Sequence, residues 1–280
     1  MNRFNIFILL SAIIMFASCA KEVNSSIYDE DKLTIEYNVT IEPETKAGSN
    51  DISVTHIWYA SYMVTEVNGE EKLTLSAVYQ PSRIVDGKAD CPVEMVKGRT
   101  YRNVFVAQHY DANSVGAYDI DVNSKLIKLS DSPVANSEDY DLFWGTDKVV
   151  AFNGTNLPSV TLKRKVAKLN FVTDAEDWIL AETNDNLPTH SSITVNYIPS
   201  SISLIDGGFS NVQYPVTFEK NEIPEDEFSL GSVYFPVKEG NVEVTMLLYK
   251  DDTLIRTIKA TDIPVAPNYV TNLKTTINNY

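Results

Sequence analysis

The chain has 280 residues, 44% of them hydrophobic, and a net charge of −15. That is a globular composition with ample material for a core. The acidic balance excludes nucleic acid as a partner, because affinity there comes largely from Lys and Arg neutralising phosphates.

The N-terminus carries the sharpest signal. Arg3 is followed by an apolar run from Ile6 to Phe16, then by Ala17-Ser18-Cys19. A membrane span needs roughly 20 apolar residues, so this shorter run closed by small residues predicts a bacterial lipoprotein signal peptide over residues 1–18. The thiol of Cys19 becomes the lipid attachment point. Each buried methylene of a palmitate-type acyl chain contributes about 0.8 kcal/mol, so two or three chains hold a protein firmly at a bilayer. Phe16 stands where Leu is more usual, and ordinary secretion with Cys19 removed is the alternative.

Residues Ala20 to Asp31 are polar, charged and without period, which predicts a tether. Leu33, Ile35, Tyr37, Val39 and Ile41 then alternate with Thr34, Glu36, Asn38 and Thr40, which predicts a half-buried strand. Pro43 to Asn50 is a polar soft spot open to proteolysis. Further strands are predicted at Val54–Val67, Leu73–Tyr79, Tyr101–Gln108, Val160–Thr173, Ile193–Ile198, Ser232–Val237, Val242–Tyr249, Thr253–Lys259 and Tyr269–Ile277. Turn signals stand between them at Asn68-Gly69, Asp86-Gly87, Asn153-Gly154, Asp206-Gly207-Gly208 and Lys250-Asp251-Asp252. Many short strands at this spacing point to β-sandwiches. Asp174 to Ala181 predicts one short helix with Asp174 as its cap. Ser137 to Phe143 is a helical turn or a loop, and a domain junction falls near Gly154 to Pro158.

Motifs that carry chemistry are absent. His56, His109 and His190 have no metal-ligand spacing, and no nucleophile elbow, P-loop or dinucleotide fingerprint occurs. Cys91, in a strand-like stretch, reads as a buried small hydrophobe. Two acidic clusters, Asp119 to Asp141 and Glu222 to Glu227, offer oxygens that calcium accepts, but in no EF-hand spacing, and a solvated surface is the simpler reading. No catalytic residue, cofactor or metal is predicted. In the basic run Lys163-Arg164-Lys165, a surface ion pair is the default. The alternative is that Arg164 packs its stem on apolar neighbours and meets an acid at the junction.

Five stretches stand in a familiar order: Val54–Ala60, Met95–Tyr101 leading into Val104–Gln108, Ser137–Gly145, Val160–Phe171 and Ile263–Asn272. Together they resemble the fimbrillin-like lipoproteins of Bacteroides-type bacteria, the subunit family of type V pili, closest to a branch of unknown function. The resemblance implies an all-β chain with two tandem transthyretin-like β-sandwich domains, at residues 51–156 and 157–280, after a tether, N-terminal strand and possible propeptide over 19–50. It implies export to the cell outer membrane, cleavage by a trypsin-like protease, and polymerisation by strand exchange with other fimbrial subunits. The matching cut lies between Lys46 and Ala47, with lysine where the family's sites usually carry arginine. The leaving strand is Leu33–Ile41. The donor strand is Tyr269–Ile277, with Tyr269, Leu273 and Ile277 on one face. Ala20-Lys21-Glu22 resembles a surface-export signal. The competing expectation is a monomeric surface lipoprotein that binds glycan or host protein through exposed aromatics. Trp144, Trp178 and Tyr140 are its candidates, although Trp58 and Trp144 read more simply as core.

Overall fold

A computed structural model describes residues 31–42, 54–111, 115–152, 158–224 and 228–278. The chain is nearly all β, as the alternation predicts. The first half holds β1 (Lys32–Ile41), β2 (His56–Val67), β3 (Glu70–Val78), β4 (Ser82–Arg83), β5 (Lys88–Val96), β6 (Thr100–Gln108), β7 (Tyr118–Asp121), β8 (Leu126–Leu129), β9 (Leu142–Val150) and β10 (Ser159–Arg164). The second holds β11 (Val166–Val172), α1 (Ala175–Thr183), β12 (His190–Pro199), β13 (Ile202–Ser203), β14 (Gln213–Glu222), β15 (Ser229–Pro236), β16 (Gly240–Lys250), β17 (Thr253–Val265) and β18 (Val270–Lys274).

Two hairpins close as their turn residues require. Asn68 and Gly69 have φ of 55° and 82°, and Asp86 and Gly87 have 50° and 71°. Positive φ at both central residues matches the right-handed twist of the flanking strands. Glu138–Tyr140 forms one 3-10 turn capped by Ser137. The helix starts at the predicted cap, where the Asp174 side chain accepts from the Asp177 N–H at 2.9 Å.

The first sheet folds on itself. Strands β3-β2-β6-β9, with β4 beside β2, make one layer, and β10-β1-β5 make the other. The layers join where Lys163 and Arg164 of β10 pair with Trp144 and Phe143 of β9. Between them lie Ile35, Tyr37, Val39 and Ile41 of β1, Cys91 and Val93 of β5, Tyr101 and Phe105 of β6, and Leu162 of β10. The second half packs β15-β11-β18 against β14-β12-β16-β17 around Leu169, Phe171, Ile193, Phe218, Phe235 and Met246.

A third apolar cluster explains why β2 and β6 show almost no alternation. Their second faces, Trp58, Ala60, Tyr62, Val104 and Val106, are covered by Tyr118, Ile127, Ile202, Leu204 and Tyr234. The cover is a small sheet, β13-β8-β7, in which Ile202 and Ser203 from the second half pair with Ile127 and Leu126 from the first. Strands buried on both faces read as continuous apolar runs.

One predicted element divides in two. The run Val160–Thr173 is not a single strand, because β10 ends at Arg164 in the first sheet and β11 begins at Val166 in the second. Lys165 makes the crossing, its N–H donating to the Leu142 carbonyl at 2.8 Å. The sequence carries the mark of this break. Core positions fall at 160, 162, 164 and 166, then slip by one to 167, 169 and 171. Such a slip turns the chain's apolar set to the other face.

Candidate assembly site

Cys19, Lys46 and Ala47, the expected lipidation and processing residues, lie outside the described residues. The strand between them does not. β1 occupies the middle of its layer, antiparallel to β5 from Lys32↔Val96 to Thr40↔Lys88 and parallel to β10 from Asn38↔Ser159 to Ile41↔Leu162. Ile35, Tyr37, Val39 and Ile41 are all buried. Burial of each such side chain is worth about 1.5–3 kcal/mol, so the four together hold β1 with on the order of 10 kcal/mol.

The Tyr37 hydroxyl spans the sandwich. It accepts from Asn103 Nδ2 at 2.7 Å and donates to Asp147 Oδ2 at 3.1 Å. Asn103 and Asp147 are cross-strand partners of β6 and β9 in the opposite layer. Asn103 is fully buried and its Oδ1 has no partner. Burial, aided by the Asp147 charge, pushes the Tyr37 phenol far above its ordinary pKa, so it stays a neutral donor.

The outer edge of β5 is closed to further strands. Pro92 has no N–H to offer there. The Tyr79 hydroxyl takes both polar groups of Glu94, accepting from its N–H at 2.9 Å and donating to its carbonyl at 3.2 Å. Val96 N–H donates to Tyr101 Oη at 3.0 Å. Edge strands blunted in this way do not recruit partners.

The expected donor segment is paired within its own half. β18 runs parallel to β11, from Lys168↔Val270 to Val172↔Lys274, as an edge strand. Tyr269 is 43% exposed and Ile277 is 2% exposed. Leu273 is half-buried against the second core. A latch of hydrogen bonds fixes the chain end. The Asp177 carboxylate, on α1, accepts from Ile277 N–H at 2.6 Å, Asn278 N–H at 3.2 Å, Asn278 Nδ2 at 2.9 Å and Thr173 Oγ1 at 2.7 Å. Burial is the largest single influence on this carboxyl and pushes it up, yet the bonds outweigh it and hold it below the usual range.

At the crossing between the halves, Arg164 meets an acid, as the alternative reading of the basic run expects. Its Nε and Nη2 donate to the two oxygens of Asp141 at 2.9 and 3.0 Å, and Nη1 donates to Asn268 Oδ1 at 3.3 Å. The guanidinium also lies 4.8 Å from the Phe143 ring centroid. Burial pushes the Asp141 carboxyl up to about 6 although Arg164 pulls it down.

Among the described residues, no group of three or more His, Cys, Asp or Glu could hold a metal ion. His56 Nδ1 lies 2.9 Å from Thr55 Oγ1, His109 pairs with Asp139 at 3.3 Å, and His190 lies 2.8 Å from Thr189. Burial pushes the Cys91 thiol up to about 12, which makes it inert. The candidate binding aromatics Trp144, Trp178 and Tyr140 are half-buried. Trp144 donates to the Leu204 carbonyl at 2.9 Å, Trp178 packs edge-on to Phe228, and the Tyr140 hydroxyl accepts from Val134 N–H at 3.0 Å. An open cleft of about 490 Å³ lies beside Tyr269, with Glu239, Asn241 and Pro264 in its walls.

Comparison with known proteins gives a loose likeness of chain path. One solved structure is a candidate adhesin from Bacteroides ovatus, with TM-score 0.49 and 10% identity, covering 81% of this chain and 76% of that one. Another is a fimbrial assembly protein from Parabacteroides distasonis, with TM-score 0.44 and 14% identity, covering 88% and 92%. A third is a candidate polysaccharide-binding protein from Bacteroides thetaiotaomicron, with TM-score 0.47 and 14% identity, covering 80% of each chain. No curated protein matches. A family described as being of unknown function, DUF6562, matches residues 24–277, and the chain belongs to that family.

Proposed function

We propose that this chain is a structural or adhesive subunit of the cell surface, anchored in the outer membrane through Cys19, with no catalytic centre, and that it assembles by strand exchange. Two tandem sandwich domains do the work. Cleavage after Lys46 releases β1, and the chain end of another subunit replaces it.

The observation that carries this reading is the place of β1. It is the first strand among the described residues and the middle strand of its layer, and the segment that follows it contains Lys46. Its loss opens a slot between β5 and β10 that bares apolar side chains and two rows of unpaired backbone groups. A strand from another chain satisfies both at once. Intact, the chain is closed, since β1 fills its own slot and β18 pairs with β11.

A cross-link tests the idea without disturbing the fold. Thr34 and Glu94 are opposed, exposed residues of β1 and β5, and Glu94 turns its backbone groups away from β1. They therefore form a non-hydrogen-bonded pair, whose side chains approach closely enough for a disulfide. A Thr34→Cys, Glu94→Cys variant holds β1 in place when oxidised. Polymers of surface-displayed protein should vanish under oxidation and return on reduction. Polymers that form with the cross-link intact would falsify the exchange. A monomeric glycan-binding lipoprotein is the second reading, favoured by the cleft beside the half-exposed Tyr269.

A further inference from the structure

Resting on that strand-exchange reading, we propose that the slot of β1 selects its occupant by a phenolic hydroxyl. The incoming strand must set a tyrosine against Asn103 and Asp147, and in a second copy of this chain that residue is Tyr269. The demand comes from the slot. Asn103 is fully buried, its Oδ1 has no partner, and its amide donates to Tyr37 Oη. A strand with an aliphatic residue there leaves the whole amide unpaired, which is among the costlier errors in a core. Serine and threonine cannot answer, because their oxygen sits one bond from Cβ while packed layers stand about 10 Å apart.

Register then follows from alternation. With Tyr269 at the place of Tyr37, Thr271 takes that of Val39 and Leu273 that of Ile41. The first exchange keeps shape while bringing a hydroxyl into the core, and the second keeps an apolar side chain there. A slip of one residue turns every side chain to the other face, and a slip of two sets Pro267 or Thr271 against Asn103. On the β10 side the backbone agrees. Asn38 N–H donates to the Pro158 carbonyl at 3.1 Å. Val270 takes its place with an N–H of its own.

Tyr118-Ile120-Val122 and Tyr140-Leu142-Trp144 share the spacing but lie in mid-chain, and a further segment with it is Tyr214, Val216 and Phe218 of β14. It would place Pro215 at Asn38, where no N–H remains to donate, just as Pro267 leaves none at Ile35, so what separates the two segments is their place in the fold. It also lies in mid-chain, paired with β12 from Glu222 to Gln213. The Tyr269 segment lies near the chain end and pairs on one side through β18. Beside β10, the solvent-facing Asn272 takes the place of Thr40, whose hydroxyl lies 3.3 Å from that of Thr161.

The test uses the full chain with a specific protease site built into residues 43–50, cut after folding. Labelled peptides are added in mild urea, and their entry is read by fluorescence anisotropy. A peptide of residues 31–42 is the reference. A peptide of residues 263–278 should enter as well, and its Tyr269→Phe form should bind about tenfold to a hundredfold more weakly. The Tyr37→Phe form of the reference peptide should lose a similar factor. Equal binding of the tyrosine and phenylalanine forms overturns the hydroxyl rule while leaving strand exchange intact. Entry of the reference peptide but not of residues 263–278 overturns the assignment of Tyr269. Entry of neither peptide overturns strand exchange itself, and the inference with it.

Discussion

Replacing Arg164 with methionine probes the joint between the two halves. Its guanidinium binds both oxygens of Asp141, and the two side chains are 2% and 0% exposed. Methionine keeps much of the stem's packing but strands a buried carboxylate. Removing one partner of such a pair costs about 3–5 kcal/mol. Urea unfolding followed by tryptophan fluorescence is the assay, since Trp58 and Trp144 both lie in the cluster between the halves. With a slope of about 2–3 kcal/mol per molar urea, the midpoint should fall by about 1–2 M. Adding Asp141→Leu removes the stranded charge and should recover most of the loss. The pH dependence has a definite sign. The folded Asp141 carboxyl is raised to about 6, above its unfolded value near 4, so its own contribution favours the fold in acid and declines as pH rises between them. Below about pH 6 the wild-type carboxylate also protonates, so the gap between wild type and Arg164→Met should narrow there. A methionine variant within 0.5 kcal/mol of wild type, or a double variant no better than the single one, would refute this account of the joint.

Other substitutions report on single features. Tyr37→Phe keeps the ring packed 5.1 Å from Phe105 but strips the Asn103 amide of its partner. The intact chain should lose about 1–3 kcal/mol in urea unfolding, and a neutral result would deny the bridge any weight. Asp177→Asn should loosen the chain end, read as faster hydrogen exchange at the Ile277 and Asn278 amides. The folded carboxyl lies below its ordinary range, so its stabilisation is present at neutral pH and fades as pH falls through that lowered value. Unchanged protection in the variant, or protection insensitive to acid, would count against the latch. At Gly207, φ is +67° and an added Cβ would stand 2.5 Å from Trp144 Cε3. Gly207→Ala should therefore cost about 1–3 kcal/mol and change the Trp144 emission, whereas an unchanged melting temperature would show that the contact is soft.

The alternation of Leu33 to Ile41, the Asn68-Gly69 and Asp86-Gly87 turns and the Asp174 cap are local signals, and each appears in the structure where the residues put it, while Asn153-Gly154 lies outside the described residues. Strands with weak local signals were hidden. β9 carries Gly145, whose missing Cβ makes room for Leu162 Cδ2 at 2.6 Å, and its polar Thr146, Asp147 and Lys148 obscure any period. β14 contains Pro215 and is largely exposed as an edge strand. The double burial of β2 and β6 depends on a cover drawn from residues 118–129 and 202–204, which no window along the chain reveals. The bridge at Tyr37 was half legible. Its core position follows from the alternation, but its partners lie 66 and 110 residues away. The Arg164 pair was legible as an alternative because a cation at an apolar-periodic position needs an acid, although Asp141 could not be singled out as that acid.

Mass analysis and N-terminal sequencing of the chain recovered from the cell surface bear most directly on whether β1 leaves. Strand exchange predicts that assembled material begins at Ala47, with β1 gone. Material that begins at acylated Cys19 in every molecule, polymers included, would contradict it.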